Sequence, residues 1–136
     1  MLDDGRGKMS GFRELEIYRR SYAAARAVYE MVKKYPDYEI RSGIADQMRR
    51  ASLSIPMNIA EGYAKNASQS DFRRFLLMAL GSANEMQVLL DFSKDVGYLE
   101  EQPYAKAIAE YEEICKMLSK FIQSVERNAP GKSSKI

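Results

Sequence analysis

Apolar residues recur at intervals of three and four along four stretches of the chain, and no stretch alternates with a period of two. The spacing predicts helices over residues 12–34, 42–61, 69–96 and 103–127. In the first, Leu15, Tyr18, Tyr22, Ala25, Tyr29 and Val32 form a heptad-like stripe. Ile44, Met48, Ala51, Ile55 and Ile59 mark the buried face of the second. Phe72, Leu76, Ala79, Ala83, Met86 and Leu90 mark that of the third. Tyr104, Ala107, Tyr111, Ile114, Leu118, Phe121 and Val125 mark that of the fourth.

The punctuation fits these limits. Pro36 ends the first helix, because the residue before a proline is pushed out of helical geometry. Pro56 removes a backbone donor well inside the second and is expected to kink or split it. Gly62 reads as its C-terminal cap. Ser68 followed by Asp71 has capping-box spacing, Gly97 is a stop signal, and Pro103 suits a first helical turn. Short connections favour antiparallel neighbours. The predicted architecture is all-α: an up-down-up-down four-helix bundle over residues 12–127, its second helix kinked near Pro56. A flexible leader over 1–11 and a flexible tail over 128–136 are expected to flank it.

Two helices carry more apolar residues than one core stripe needs. At 3.6 residues per turn, Leu53 and Met57 point about 160° away from Ile55. Leu77 and Val88 point about 160–180° away from Ala79, with Gly81 between them on the same side. Scattered exposed apolar residues are ordinary. Two adjacent helices doing this together favour a subunit interface through Leu53, Met57, Leu77, Gly81 and Val88, and hence a homo-oligomer.

Composition removes most catalytic classes. The chain has no histidine and a single cysteine, Cys115. A Ser-His-Asp triad, a histidine base, a histidine metal site and an internal disulfide are thereby excluded. No Gly-rich phosphate loop is present. No apolar run approaches the roughly 18 residues of a membrane span, and the first residues lack the apolar core of a signal peptide. A cytoplasmic protein without cofactor, metal or membrane partner, and not an enzyme, is expected.

The net charge of +2 says little, but its distribution is uneven. Residues 12–35 hold six basic and three acidic side chains, whereas residues 98–129 hold four basic and six acidic. Arg19, Arg26 and Lys33 repeat every seven residues, with Arg13, Arg20 and Lys34 beside them. Arg49 and Arg50 add charge on the second helix. One reading is a surface that tracks phosphates. The other is a solvated face paired with the acidic fourth helix, within or between subunits. Tyr18, Tyr22 and Tyr29 are poor base-stacking candidates on this reading, because their spacing makes them core.

Asn58 and Glu61 lie one turn apart, as do Ser82 and Glu85. Antiparallel helices would let the four meet. The result is either a hydrogen-bonded network that fixes register or an acid/base or metal site built on the two glutamates. The absence of histidine favours the network.

The central run resembles a family signature. Gln47-Met48-Arg49-Arg50-Ala51, Ser54-Ile55 and Asn58-Ile59-Ala60-Glu61-Gly62 are similar to a bacterial four-helix-bundle family. Its members include proteins encoded in intervening sequences of large-subunit ribosomal RNA genes. Phe72, Phe75-Leu76, Gly81-Ser82, Glu85 and Gly97-Tyr98-Leu99 continue the match. The resemblance implies a ring-like homopentamer. It also implies kinship with accessory proteins of diversity-generating retroelements, which bind nucleic acid and associate with a reverse transcriptase. The resulting expectation is a non-catalytic pentamer whose basic first helix contacts RNA or DNA, assisting a reverse transcriptase. The alternative is a protein-interaction scaffold that binds no nucleic acid.

Overall fold

The computed structural model describes residues 11–64 and 68–128. The expected leader and tail fall outside the described residues, apart from Gly11 and Asn128. Five α-helices occur among the described residues, and no strand: α1 (Glu16–Met31), α2 (Asp37–Ser42), α3 (Ile44–Ala64), α4 (Gln69–Asp95) and α5 (Glu101–Asn128). Short 3-10 turns at Phe12–Glu14 and Val32–Lys34 bracket α1.

Chain punctuation explains these limits. Tyr35 is extended ahead of Pro36, which ends the first helical stretch. Pro36 then caps α2, a six-residue helix that the periodicity does not predict. The Glu39 carboxylate accepts from the Ile44 amide at 2.8 Å and satisfies an orphan donor at the start of α3. Ser68 caps α4, its hydroxyl accepting from the Asp71 amide at 3.2 Å. Gly97, at φ +88°, closes α4 with a Schellman turn. Its amide donates to the Lys94 carbonyl and the Tyr98 amide to the Ser93 carbonyl.

Of the two outcomes expected at Pro56, splitting does not occur: α3 continues through this buried proline. Gly62 lies inside the helix, buried, and is not its cap. A Cβ at Gly62 would sit 2.7 Å from Phe75 Cβ and 3.1 Å from Phe72 Cδ1, so glycine here lets α3 approach α4 closely.

The four long helices bury one core. Ile55, Ile59, Leu76, Ala79, Ala83, Met86, Leu90, Ile114 and Leu118 are fully enclosed. Each large aliphatic side chain among them contributes about 1.5–3 kcal/mol by leaving water. Side-chain bonds set the register. Ser93 meets Met48 and Ser82 meets Ser54, so α3 and α4 run antiparallel. Tyr104 meets Asp91, Cys115 meets Gln87 and Arg73 pairs with Glu126, so α4 and α5 do too. Helix α1 packs chiefly on α3 and only lightly on α5.

The phase of α1 also departs from the expected stripe. Its buried residues are Ile17, Ser21, Ala24, Ala25 and Val28, while Tyr22 and Tyr29 are 47% and 54% exposed. The buried face is turned from the tyrosine stripe by one residue, about 100°. Small side chains let α1 lie close on its neighbours, and the larger tyrosines are left on the flank beside α3.

Candidate nucleic-acid interface

The eight basic residues singled out in the sequence divide by what holds them. Arg19 folds back on the chain, donating to the Arg13 and Glu14 carbonyls at 3.1 and 2.7 Å. Arg20 turns the other way and grips Glu110 of α5 with two bonds, at 2.8 and 3.2 Å. This contact raises the Arg20 pKa. Lys33 pairs with Glu30 and lies over the Tyr29 ring, 5.2 Å from its centroid. Arg13 lies over the Phe12 ring. Arg26 and Lys34 are exposed and have no ion-pair partner among the described residues. The six basic residues of the first helical stretch thus differ in availability, Arg26 and Lys34 being the least engaged.

Arg49 and Arg50 converge on one carboxylate. Asp46 accepts from Arg49 at 3.2 Å and from Arg50 at 3.0 and 3.2 Å. Arg49 also donates to the Ile40 carbonyl at 2.7 Å, which ties α3 to α2. The Arg50 side chain stays 77% exposed. These residues, with Tyr22, Arg26, Tyr29 and Leu53, line a groove of about 560 Å³ between α1 and α3. Three guanidinium groups face one carboxylate in it.

The acidic α5 is partly neutralised within the chain. Arg20 holds Glu110, Arg73 holds Glu126, and Lys94 holds Glu101. These pairs bear on the alternative in which α5 serves as the partner of the basic ribbon.

The polar quartet does not meet at one point. Asn58 donates to the Ser54 carbonyl and hydroxyl at 2.9 and 3.0 Å, and Ser82 donates to the Ser54 hydroxyl at 2.9 Å. Ser54, which the spacing argument passes over, is the hub. Glu85 lines one groove with Gln47, Arg50, Ser54 and Ser82. Glu61 lines another with Leu53, Met57 and Asn58. The antiparallel register sends the two glutamates in opposite directions from Ser54, so they do not form one site. Among the described residues no group of three or more Cys, Asp or Glu is placed to hold a metal ion.

Leu53, Met57, Leu77 and Val88 all project outward, Met57 and Val88 being about two-thirds exposed at 64% and 65%. A Cβ at Gly81 would meet nothing within 4 Å. Met78 and Phe92 extend the apolar surface. Cys115, half-buried, bonds Gln87 and Asn84, and burial pushes its thiol up. No helix among the described residues is long and apolar enough to cross a membrane.

Tyr22 and Tyr29, expected in the core, stand on the surface; the signal available in the sequence is that they lie about 50° from Arg19, Arg26 and Lys33 around the helix, at the border of its charged side.

The described residues define an all-α protein built from four long helices and one short one. The chain belongs to the 23S rRNA-intervening sequence protein family, whose profile matches residues 13–120. It is similar to a crystal structure of a protein of unknown function from the S23 ribosomal protein family of Bacteroides thetaiotaomicron. The two share 25% identity and a TM-score of 0.72, over 79% of this chain and 95% of the other. No curated protein matches the chain.

Proposed function

We propose that this chain is a non-catalytic, self-associating protein that binds nucleic acid through the basic side of α1 and the adjoining arginines of α3. The observation that carries the reading is the α1–α3 groove, where Arg26, Arg49 and Arg50 face only Asp46. Clustered guanidinium groups attract phosphates and fork onto their oxygens. The pairing of Glu126 with Arg73 and of Glu101 with Lys94 adds support, since it uses acidic groups of α5 that would otherwise compete for the ribbon.

The long helices act in this reading as an up-down-up-down four-helix bundle, with α2 as an insertion between the first two. The outward apolar residues Leu53, Met57, Leu77 and Val88, with Gly81, form the contact between copies. A ring, five-membered as the family resemblance implies, multiplies a weak contact per subunit into useful affinity. A nucleic-acid enzyme such as a reverse transcriptase is the protein partner such a ring serves. Separate placement of Glu61 and Glu85 supports a role without acid/base catalysis.

The second reading is a protein-interaction scaffold, favoured by the same exposed apolar surface. Charge reversal at Arg26 and Lys34 to Glu separates the two. Loss of RNA binding with assembly retained supports the nucleic-acid reading. Loss of assembly, or unchanged RNA binding, supports the scaffold.

A further inference from the structure

Phosphate attraction leaves one feature of the α1–α3 groove unused, namely its two exposed tyrosine rings. We propose that this groove takes unpaired nucleotides, with bases stacked on Tyr22 and Tyr29 and phosphates held by Arg26 and Arg50. The proposal rests on the nucleic-acid reading above and specifies which form of nucleic acid is bound.

Tyr22 and Tyr29 are seven residues apart, so they lie on nearly one face of α1, about 10 Å apart along its axis. Arg26 sits between them in sequence, and all three line the groove. The Tyr22 ring is supported from behind. It stacks on half-buried Tyr18, with centroids 5.9 Å apart and planes 27° apart. The Lys33 ammonium accompanies Tyr29. Asp46 fixes the fork of Arg50 while leaving that side chain exposed. A volume near 560 Å³ falls within the range of roughly 300–1,000 Å³ typical of small-molecule pockets.

A groove of positive charge interleaved with aromatic rings is how proteins hold single strands, because every base offers a π-face. A duplex cannot use the rings, since its base faces are already stacked. A second copy of this chain is the competing occupant, because Leu53 belongs to both the groove and the outward apolar face. The excess of guanidinium groups favours an anion over that neutral surface.

The test is titration with a short unstructured RNA and with a duplex of the same length, each across a salt series that starts at low salt. The chain has no tryptophan and nine tyrosines, so the part of the quenching that disappears in Tyr22→Phe and Tyr29→Phe reports on those two rings. The single strand is expected to quench that emission and to bind about tenfold tighter than the duplex. Tyr22→Ala and Tyr29→Ala are each expected to weaken single-strand binding about tenfold, with the salt slope unchanged. Tyr22→Phe and Tyr29→Phe are expected to retain it, because the ring does the work. Thermal melts of the variants confirm that they fold.

Equal binding of the two RNAs, together with Ala variants that bind like the parent, overturns the stacking proposal and leaves the phosphate reading standing. Absence of RNA binding at low salt overturns both. Ala variants that sediment as smaller species assign the groove to subunit contact and overturn the proposal.

Discussion

The Ser82 hydroxyl donates to the Ser54 hydroxyl at 2.9 Å across the α3–α4 seam, and Asn58 donates to the same oxygen at 3.0 Å. Ser54 therefore joins two helices at a defined register. Ser54→Ala is expected to cost about 1 kcal/mol, the typical net worth of such a bond plus the partner left unpaired. Urea unfolding monitored by circular dichroism measures this. RNA affinity should not change, because Ser54 does not line the Tyr22 groove.

Gly62 makes a sharper prediction. Alanine is the better helix former by about 1 kcal/mol. At this site its Cβ would press on Phe75 Cβ, an atom that cannot swing aside. Gly62→Ala is expected to destabilise by about 1–3 kcal/mol, the range for overpacking. An unfolding midpoint raised above the parent's would show that α3 and α4 have room to spare.

Alkaline pH exposes a different weakness. The Asp91 carboxylate, 2.6 Å from the Tyr104 hydroxyl, pushes that phenol up to about 12 from the ordinary 10.0. Burial raises Tyr111, whose hydroxyl has no hydrogen-bond partner, and raises Tyr35, with the Ser93 hydroxyl working the other way. Hydrogen bonds with Tyr38 and Glu39 raise Tyr98. The folded state keeps these protons at a pH where the unfolded chain releases them. Stability is then fully present below about pH 10 and falls as pH rises above it. Unfolding midpoints between pH 8 and 12 should show that decline. Tyr111→Phe removes an unsatisfied buried hydroxyl and should leave stability at pH 7 unchanged or higher while flattening the alkaline fall.

Assembly depends on the outward apolar face. Val88 is exposed, so Val88→Asp should alter the folding of a single chain by less than about 0.5 kcal/mol. The same change buries a charge if Val88 sits between copies. Sedimentation velocity should show the parent as an oligomer and the variant as a monomer. Identical sedimentation of the two would move the subunit contact elsewhere.

How far the sequence discloses the fold depends on side-chain size. In α3, α4 and α5 large side chains such as Ile55, Ile59, Leu76, Met86, Leu90, Tyr111, Ile114 and Leu118 hold most of the core, and the apolar stripe locates these correctly. In α1 three of the five buried positions, Ser21, Ala24 and Ala25, are small, and the larger tyrosines beside them dominate the periodic signal. Helix α2 has six residues, fewer than two turns, and leaves no period to read. The site is less legible still. Ser54 becomes a hub only through a residue 28 positions away, and Arg20 leaves the ribbon only because Glu110, 90 positions away, folds beside it. Such contacts depend on register and helix order, which spacing within one helix does not encode.

The most direct test of the central claim is the affinity of the intact protein for RNA across a salt series, beside an Arg26→Glu, Lys34→Glu variant. The account predicts that log affinity falls linearly with log salt, by about 0.7 per phosphate contact on a single strand. The variant should bind more weakly and show a shallower slope. Affinity indifferent to salt, or no binding at low salt, would contradict it.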